Sequence, residues 1–156
     1  MQKYEYIRNM ETEYHKKYPN SILLVSSGNF YNVYGKDAYI LCYLFRFKCI
    51  HKVYITEKEK EVYVPKTGFP KNSLDKVLLD LENQKVNYVI KAKDKNDIVQ
   101  NFKKLNTYEK RYIASKNYCM NKIKLNEIIE QCDALCGKKE FSNVLDYVQK
   151  YIGHGC

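Results

Sequence analysis

Ser26–Ala38 reads SSGNFYNVYGKDA. Two glycines, Gly28 and Gly35, bracket an aromatic pair, Phe30 and Tyr31, and an acid, Asp37, follows. The flanking segments decide how the stretch is read. Upstream, residues 21–27 (SILLVSS) are a short apolar run bounded by turn residues, the mark of a buried strand. Residues 29–34 (NFYNVY) form a second short strand joined to the first around Gly28, and Gly35 ends it. From Asp37, DAYILCYLFRF puts Ala38, Leu41, Cys42 and Phe45 on one helical face. That segment is apolar all round, so it packs on more than one side. The aromatic pair therefore sits at a turn between ordered segments, as core or as a contact surface. Pattern alone favours core, because strand aromatics usually pack.

Working outward, residues 3–17 carry Tyr4, Ile7, Met10 and Tyr14 at helical spacing, and Pro19 stops that helix. CIHKVYIT and KEVYVPKT read as strands separated by the charged turn EKEKE. FPKNSLDKVLLDLENQK begins a helix with Asn72 or Ser73 at its N-cap and Leu74, Val77, Leu78 and Leu81 on its buried face. VNYVIKA is the next strand. The pattern then changes. Residues 93–106 read as a helix through Ile98, Val99, Phe102 and Leu105, residues 107–137 as one long helix ending at Gly137, and residues 140–153 as a last helix. The expected organisation is an α/β domain over residues 1–93 and a helical C-terminal extension over residues 94–156.

The chain has 156 residues, a formal charge of +9 and 45% hydrophobic residues. It has enough apolar material for a core, and its charge favours a polyanionic partner, of which nucleic acid is the usual one. The excess of Lys and Arg is shared by both halves. No apolar run is long enough to span a bilayer, and the first residues lack a signal-type apolar core. The expectation is a cytoplasmic protein with reduced thiols, with no membrane partner. Cys132 and Cys136 are one helical turn apart and, with His154 and Cys156, would complete a metal site only in principle. No CxxC or HxxxH pair supports one, so the six cysteines read as structural, with no metal and no cofactor.

No catalytic constellation is framed by the sequence. There is no GxxxxGK[ST] loop and no GxGxxG, and no nucleophile motif surrounds His15, His51 or His154. Glu57, Glu59 and Glu61 alternate with lysines and read as a solvated hairpin tip. The expectation is a protein that is not an enzyme.

The stretch YPNSILLVSSGNFYNVYGKDAYILCYLF resembles the start of the MutS family of DNA mismatch-repair proteins, their N-terminal mismatch-recognition domain. Gly28, Phe30, Tyr31, Asp37 and Ala38 stand where that family has its G-D-F-Y-E and D-A residues. KTGFPKNSLDKVLLDLENQKVNYVI is similar to the family's later segment through Gly68, Phe69 and Pro70. The likeness covers residues 3–93. It implies a mixed β-sheet flanked by helices, with Phe30 wedged into the minor groove and stacked on a mispaired base. It implies that Tyr31 packs beneath, and Lys36 and Lys71 lie near enough to the motif to meet phosphates. The family's base-contacting Glu is Asn32 here, and its usual Asp is Asn29. Asn32 offers donors and acceptors but no carboxylate. The family's connector, lever, clamp and ATPase domains do not fit in this length, so no ATP-driven signalling is expected of this chain alone. Small free-standing MutS-like proteins accompany reverse transcriptases of diversity-generating retroelements, a context that suits such a chain.

Two functions follow. The first is a non-catalytic accessory protein that binds DNA, including mismatched or distorted duplex or an RNA–DNA hybrid. The second is a protein-interaction module or oligomeric scaffold. In it, the helical extension docks a protein partner or a second copy through Leu125, Ile128, Ile129, Cys132 and Cys136; the same stripe would equally cover the α/β core.

Overall fold

A computed structural model describes residues 4–91, 96–102, 107–135 and 137–152. Leu105, Cys136, His154 and Cys156 lie outside the described residues. The elements run α1 (Tyr4–Lys17), β1 (Ser21–Ser27), β2 (Phe30–Tyr34), α2 (Gly35–Phe45), β3 (Ile50–Ile55), β4 (Glu61–Pro70), α3 (Leu74–Asn83), β5 (Asn87–Lys91), β6 (Ile98–Gln100), α4 (Tyr108–Leu135) and α5 (Lys138–Ile152). A single 3-10 turn, Lys71–Ser73, precedes α3. Ser73 occupies the cap position of α3, but its side chain makes no capping bond. The described residues form two compact units, Met1–Cys119 and Met120–Cys156.

The first unit is built on a six-stranded sheet of order β3-β4-β2-β1-β5-β6. β1 pairs parallel with β5 and antiparallel with β2, and the remaining pairs are antiparallel, so the sheet is mixed. β1 is central and covered on both faces, which is why Ser21–Val25 is buried without alternation. Because successive strand residues point to opposite faces, the sheet feeds two cores. One gathers Ile22, Leu24, Val33 and Phe69 with Ala38, Ile40 and Leu41 of α2 and Val77 and Leu81 of α3. The other packs Leu23, Val25, Tyr34, Tyr54 and Val64 against Ile7 and Met10 of α1.

Two parts of the chain differ from expectation or lie past the expected boundary. Residues 98–100 are a strand rather than part of a helix. Ile98, Val99 and Gln100 pair with Ile90, Val89 and Tyr88 on the sheet edge. The Asn87 side-chain oxygen accepts from the Phe102 N–H at 2.7 Å, and Tyr14 Oη donates to Asp97. Two β-branched residues beside an open strand edge take the ladder over weak helical periodicity. Beyond the boundary expected near residue 93, the first turns of α4 also belong to the first unit. Tyr108 is buried in the α2 and α3 core, and Cys119 is buried with Tyr39 and Cys42. Cys42, Cys49, Cys119 and Cys132 form no disulfide. Among the described residues no group of three or more His, Cys, Asp or Glu is placed to hold a metal ion. No helix among them is long and apolar enough to cross a membrane.

A cluster of ionisable groups fastens α1, β1, α2 and α4 together. Asp37 is 1% exposed. One of its oxygens accepts from the Leu23 N–H at 2.8 Å and lies 3.2 Å from His15 Nε2, and the other accepts from Tyr108 Oη. Glu11 lies against Gly35, where a Cβ would collide with its carboxylate, and Gly35 also has a left-handed φ of +57°. Burial, and then the Asp37 charge, push the Glu11 carboxyl up to about 7. The hydrogen bond to Asp37 raises the His15 imidazole above its usual range against the opposing effect of burial.

Both groups bind a proton more tightly in the fold than in the unfolded chain. The Glu11 contribution is present below its unfolded value of about 4.3 and is lost as pH rises through about 7. The His15 contribution is present below about 6.5 and is lost as pH rises through its raised folded value. Glu11→Gln is therefore expected to stabilise the protein at pH 8 by on the order of 2 kcal/mol and to change little at pH 4. Thermal melts of both proteins across that range check the sign. A gain that grows toward low pH would contradict it.

Candidate nucleic-acid interface

Ser27 pairs with Phe30, so β1 and β2 are joined by the two residues Gly28 and Asn29. Gly28 has a φ of +56°, the conformation that the first position of a tight hairpin demands and that glycine adopts without penalty. The tip is fastened at its far side, where the Lys71 N–H donates to the Asn29 carbonyl at 2.9 Å. Phe30 then stands opposite Pro70 in the ladder. Phe30 is 49% exposed and belongs to none of the core clusters. Asn29, Phe30, Pro70, Lys71 and Asn72 line an open groove of about 340 Å³.

Tyr31, next along the strand, points to the other face. It is half-buried against the α2 and α3 core, with its ring centroid 5.6 Å from that of Phe69. Lys71 Nζ lies 5.9 Å from the Tyr31 ring centroid, which holds an exposed cation beside the groove. Asn32 returns to the Phe30 face and is half-buried. Its register partners are Val25 and Gly68. A Cβ at Gly68 would come 2.7 Å from the Tyr31 carbonyl oxygen and 3.2 Å from Asn32 Oδ1, so only glycine lets β4 pass this close to the hairpin.

Phe30, Tyr31, Asn32 and Lys71 are thus gathered at one end of β2. Lys36 is not with them. It lies past the other end of the strand, about 13 Å of extended chain away. There its amine approaches both Glu109 oxygens at 3.4 Å and the Tyr112 ring centroid at 4.6 Å. Sequence reading did not single out Pro70 or Asn72 for the groove. The register of β2 with β4 brings them in, and strand pairing is not written in local pattern.

Gly68→Ala is expected to force β2 and β4 apart and cost about 1–3 kcal/mol, the range of overpacked sites. A urea midpoint shift at unchanged slope would measure it, and an unchanged midpoint would contradict the close approach.

No curated protein matches the chain. The family model for MutS domain I matches residues 9–122, a span that includes the hairpin, the whole sheet and the first turns of α4. The chain belongs to the MutS domain I family.

Proposed function

We propose that the protein is a non-catalytic DNA-binding protein that places the Phe30 ring against an unpaired, mispaired or distorted base. The observation that carries this reading is the position of Phe30. A large aromatic, half exposed and outside every core cluster, is held on a glycine turn fastened to the end of β4. The ring thus stands on a fixed backbone with its face available, and base–aromatic stacking contributes about 1–3 kcal/mol per base. Family membership supports the same role. The +9 charge supplies phosphate attraction that weakens with salt. Asn32, on the same face, has an amide that offers a base edge both a donor and an acceptor, without the charge of a carboxylate. Tyr31 supports the hairpin from below, Lys71 meets a phosphate beside the groove, and Lys36 meets one farther away.

A second reading rests on the second unit. Leu125, Ile129 and Cys132 are half-covered and Ile128 is 54% exposed. A protein partner or a second copy of the chain would bury this stripe. Sedimentation that shows a dimer dissociating on dilution, together with no DNA binding at physiological salt, would favour this reading over the first.

The test of the leading reading is binding to a homoduplex, a single-mismatch duplex, single-stranded DNA and an RNA–DNA hybrid. Phe30→Ala is expected to weaken mismatch-duplex binding by about 5- to 150-fold, equivalent to the stacking range. The homoduplex, which presents no unstacked base, should lose much less. Parent-like binding of all four ligands by Phe30→Ala would sink the proposal.

A further inference from the structure

The face of the sheet that carries Phe30 continues past the hairpin. On β2 it holds Phe30 and Asn32, and on β4 it holds Gly68 and Lys66. On β3 it holds Ile50, which pairs with Lys66, and Lys52 two residues further on. Cross-strand diagonal neighbours on one face lie about 7 Å apart, so Lys66 and Lys52 are adjacent cations. Ile50 is 44% exposed, Lys52 is exposed and Lys66 is half-buried beside Tyr34 and Val64, which α1 covers, so the row opens to a ligand at its Ile50 and Lys52 end.

Among the described residues no acidic side chain offsets these two lysines. The ion pairs among the described residues are His15–Asp37 and Lys36–Glu109, and no carboxylate pairs with Lys52 or Lys66. Their amines rest instead over aromatic rings, Lys66 Nζ 5.6 Å from the Tyr34 centroid and Lys52 Nζ 5.3 Å from that of Tyr54. Burial, and then the Lys52 charge, hold the Lys66 amine below its usual range. Two like charges held together on fixed strands make a site that an anion stabilises.

We infer that Lys52 and Lys66 form a phosphate clamp for the nucleic-acid backbone flanking the base met by Phe30. The inference rests on the DNA-binding reading above and adds the path of the backbone to it. Lys66 lies four residues along β4 from Pro70, about 13 Å in an extended strand. That distance is too long for the lysine to touch the stacked base and matches roughly four base steps of duplex rise. Gly68, without a side chain, leaves the intervening floor low, and the Asn32 amide is its polar feature. The occupant that fits a bare, cationic strip beginning at an aromatic ring is a strand of phosphodiesters.

The test compares the parent, Phe30→Ala and the double variant Lys52→Gln/Lys66→Gln on homoduplex and mismatch duplex from 50 to 200 mM salt. Each phosphate contact contributes about 0.9 to the slope of log affinity against log salt. The double variant is expected to lower that slope by nearly two. It should therefore lose roughly tenfold less affinity than the parent across this range. The change should be the same on both duplexes, whereas Phe30→Ala should keep the parent slope and lose mismatch preference. A second measurement uses inorganic phosphate alone, with chloride matching the ionic strength. Phosphate should raise the melting temperature of the parent and of Phe30→Ala, but not that of the double variant. An unchanged salt slope in a folded double variant, or an equal phosphate response in all three proteins, overturns the clamp. Loss of the slope change with Phe30 stacking intact removes the clamp alone. A phosphate response in the parent, together with parent-like mismatch binding by Phe30→Ala, removes the stacking reading alone.

Discussion

The Asp37 carboxylate takes hydrogen bonds from three directions, and each donor belongs to a different element. Leu23 is on β1, His15 on α1 and Tyr108 on α4, while Asp37 itself sits in the first turn of α2. A buried carboxylate is costly unless its lone pairs are satisfied, and removing the partner of such a network costs on the order of 3–5 kcal/mol. This junction sets the start of α2 against the central strand, and so it also sets the end of β2, which runs directly into α2. At the same point Glu11, its carboxyl raised to about 7, lies against Gly35, and the hydrogen bond to Asp37 raises the neighbouring His15 imidazole. The far end of β2, where Phe30 stands, is positioned from here by a strand of five residues.

That short strand divides its residues between two solvents. Tyr31 and Val33 enter the α2 and α3 core, and Phe30 and Asn32 turn to the opposite face with Tyr34. Val25 and Tyr34 on that face are covered by α1, but the helix leaves the hairpin end open. The adjacent aromatics therefore have different fates because the pleat has a period of two, not because their chemistry differs. Tyr31 anchors and Phe30 projects.

Much of this was legible in sequence. The buried run of residues 21–27, the glycine turn and the helix through Ala38 and Leu41 are strong local signals, and they carry the family resemblance. What local pattern could not give was anything that depends on who pairs with whom. β6 is three residues long and two of them are exposed, so no periodicity marks it; the open edge of β5 makes it a strand. The Tyr108 and Cys119 positions of α4 are buried in a helix whose later turns carry no fully buried described residue, and nothing local separates the two regimes. Lys36 stands five residues after Tyr31 in sequence, but the turn from strand to helix sends it to Glu109. Lys66 and Lys52 become neighbours only through the β3–β4 register.

The parallel pairing of β1 with β5 has a kinetic side. Ser21 meets Asn87 and Val25 meets Lys91, so this central ladder closes only after α2, β3, β4 and α3 have been synthesised and gathered. The β1–β2 hairpin needs a two-residue closure, and hairpins of that kind form in about 1–10 μs, whereas ladders between distant segments carry the loop-closure entropy that slows folding. The aromatic tip can thus take shape early, while the strand that supports it stays half-paired until β5 arrives. Chains interrupted before residue 87 would carry a formed hairpin with an open edge on β1, the kind of surface that recruits a neighbouring chain.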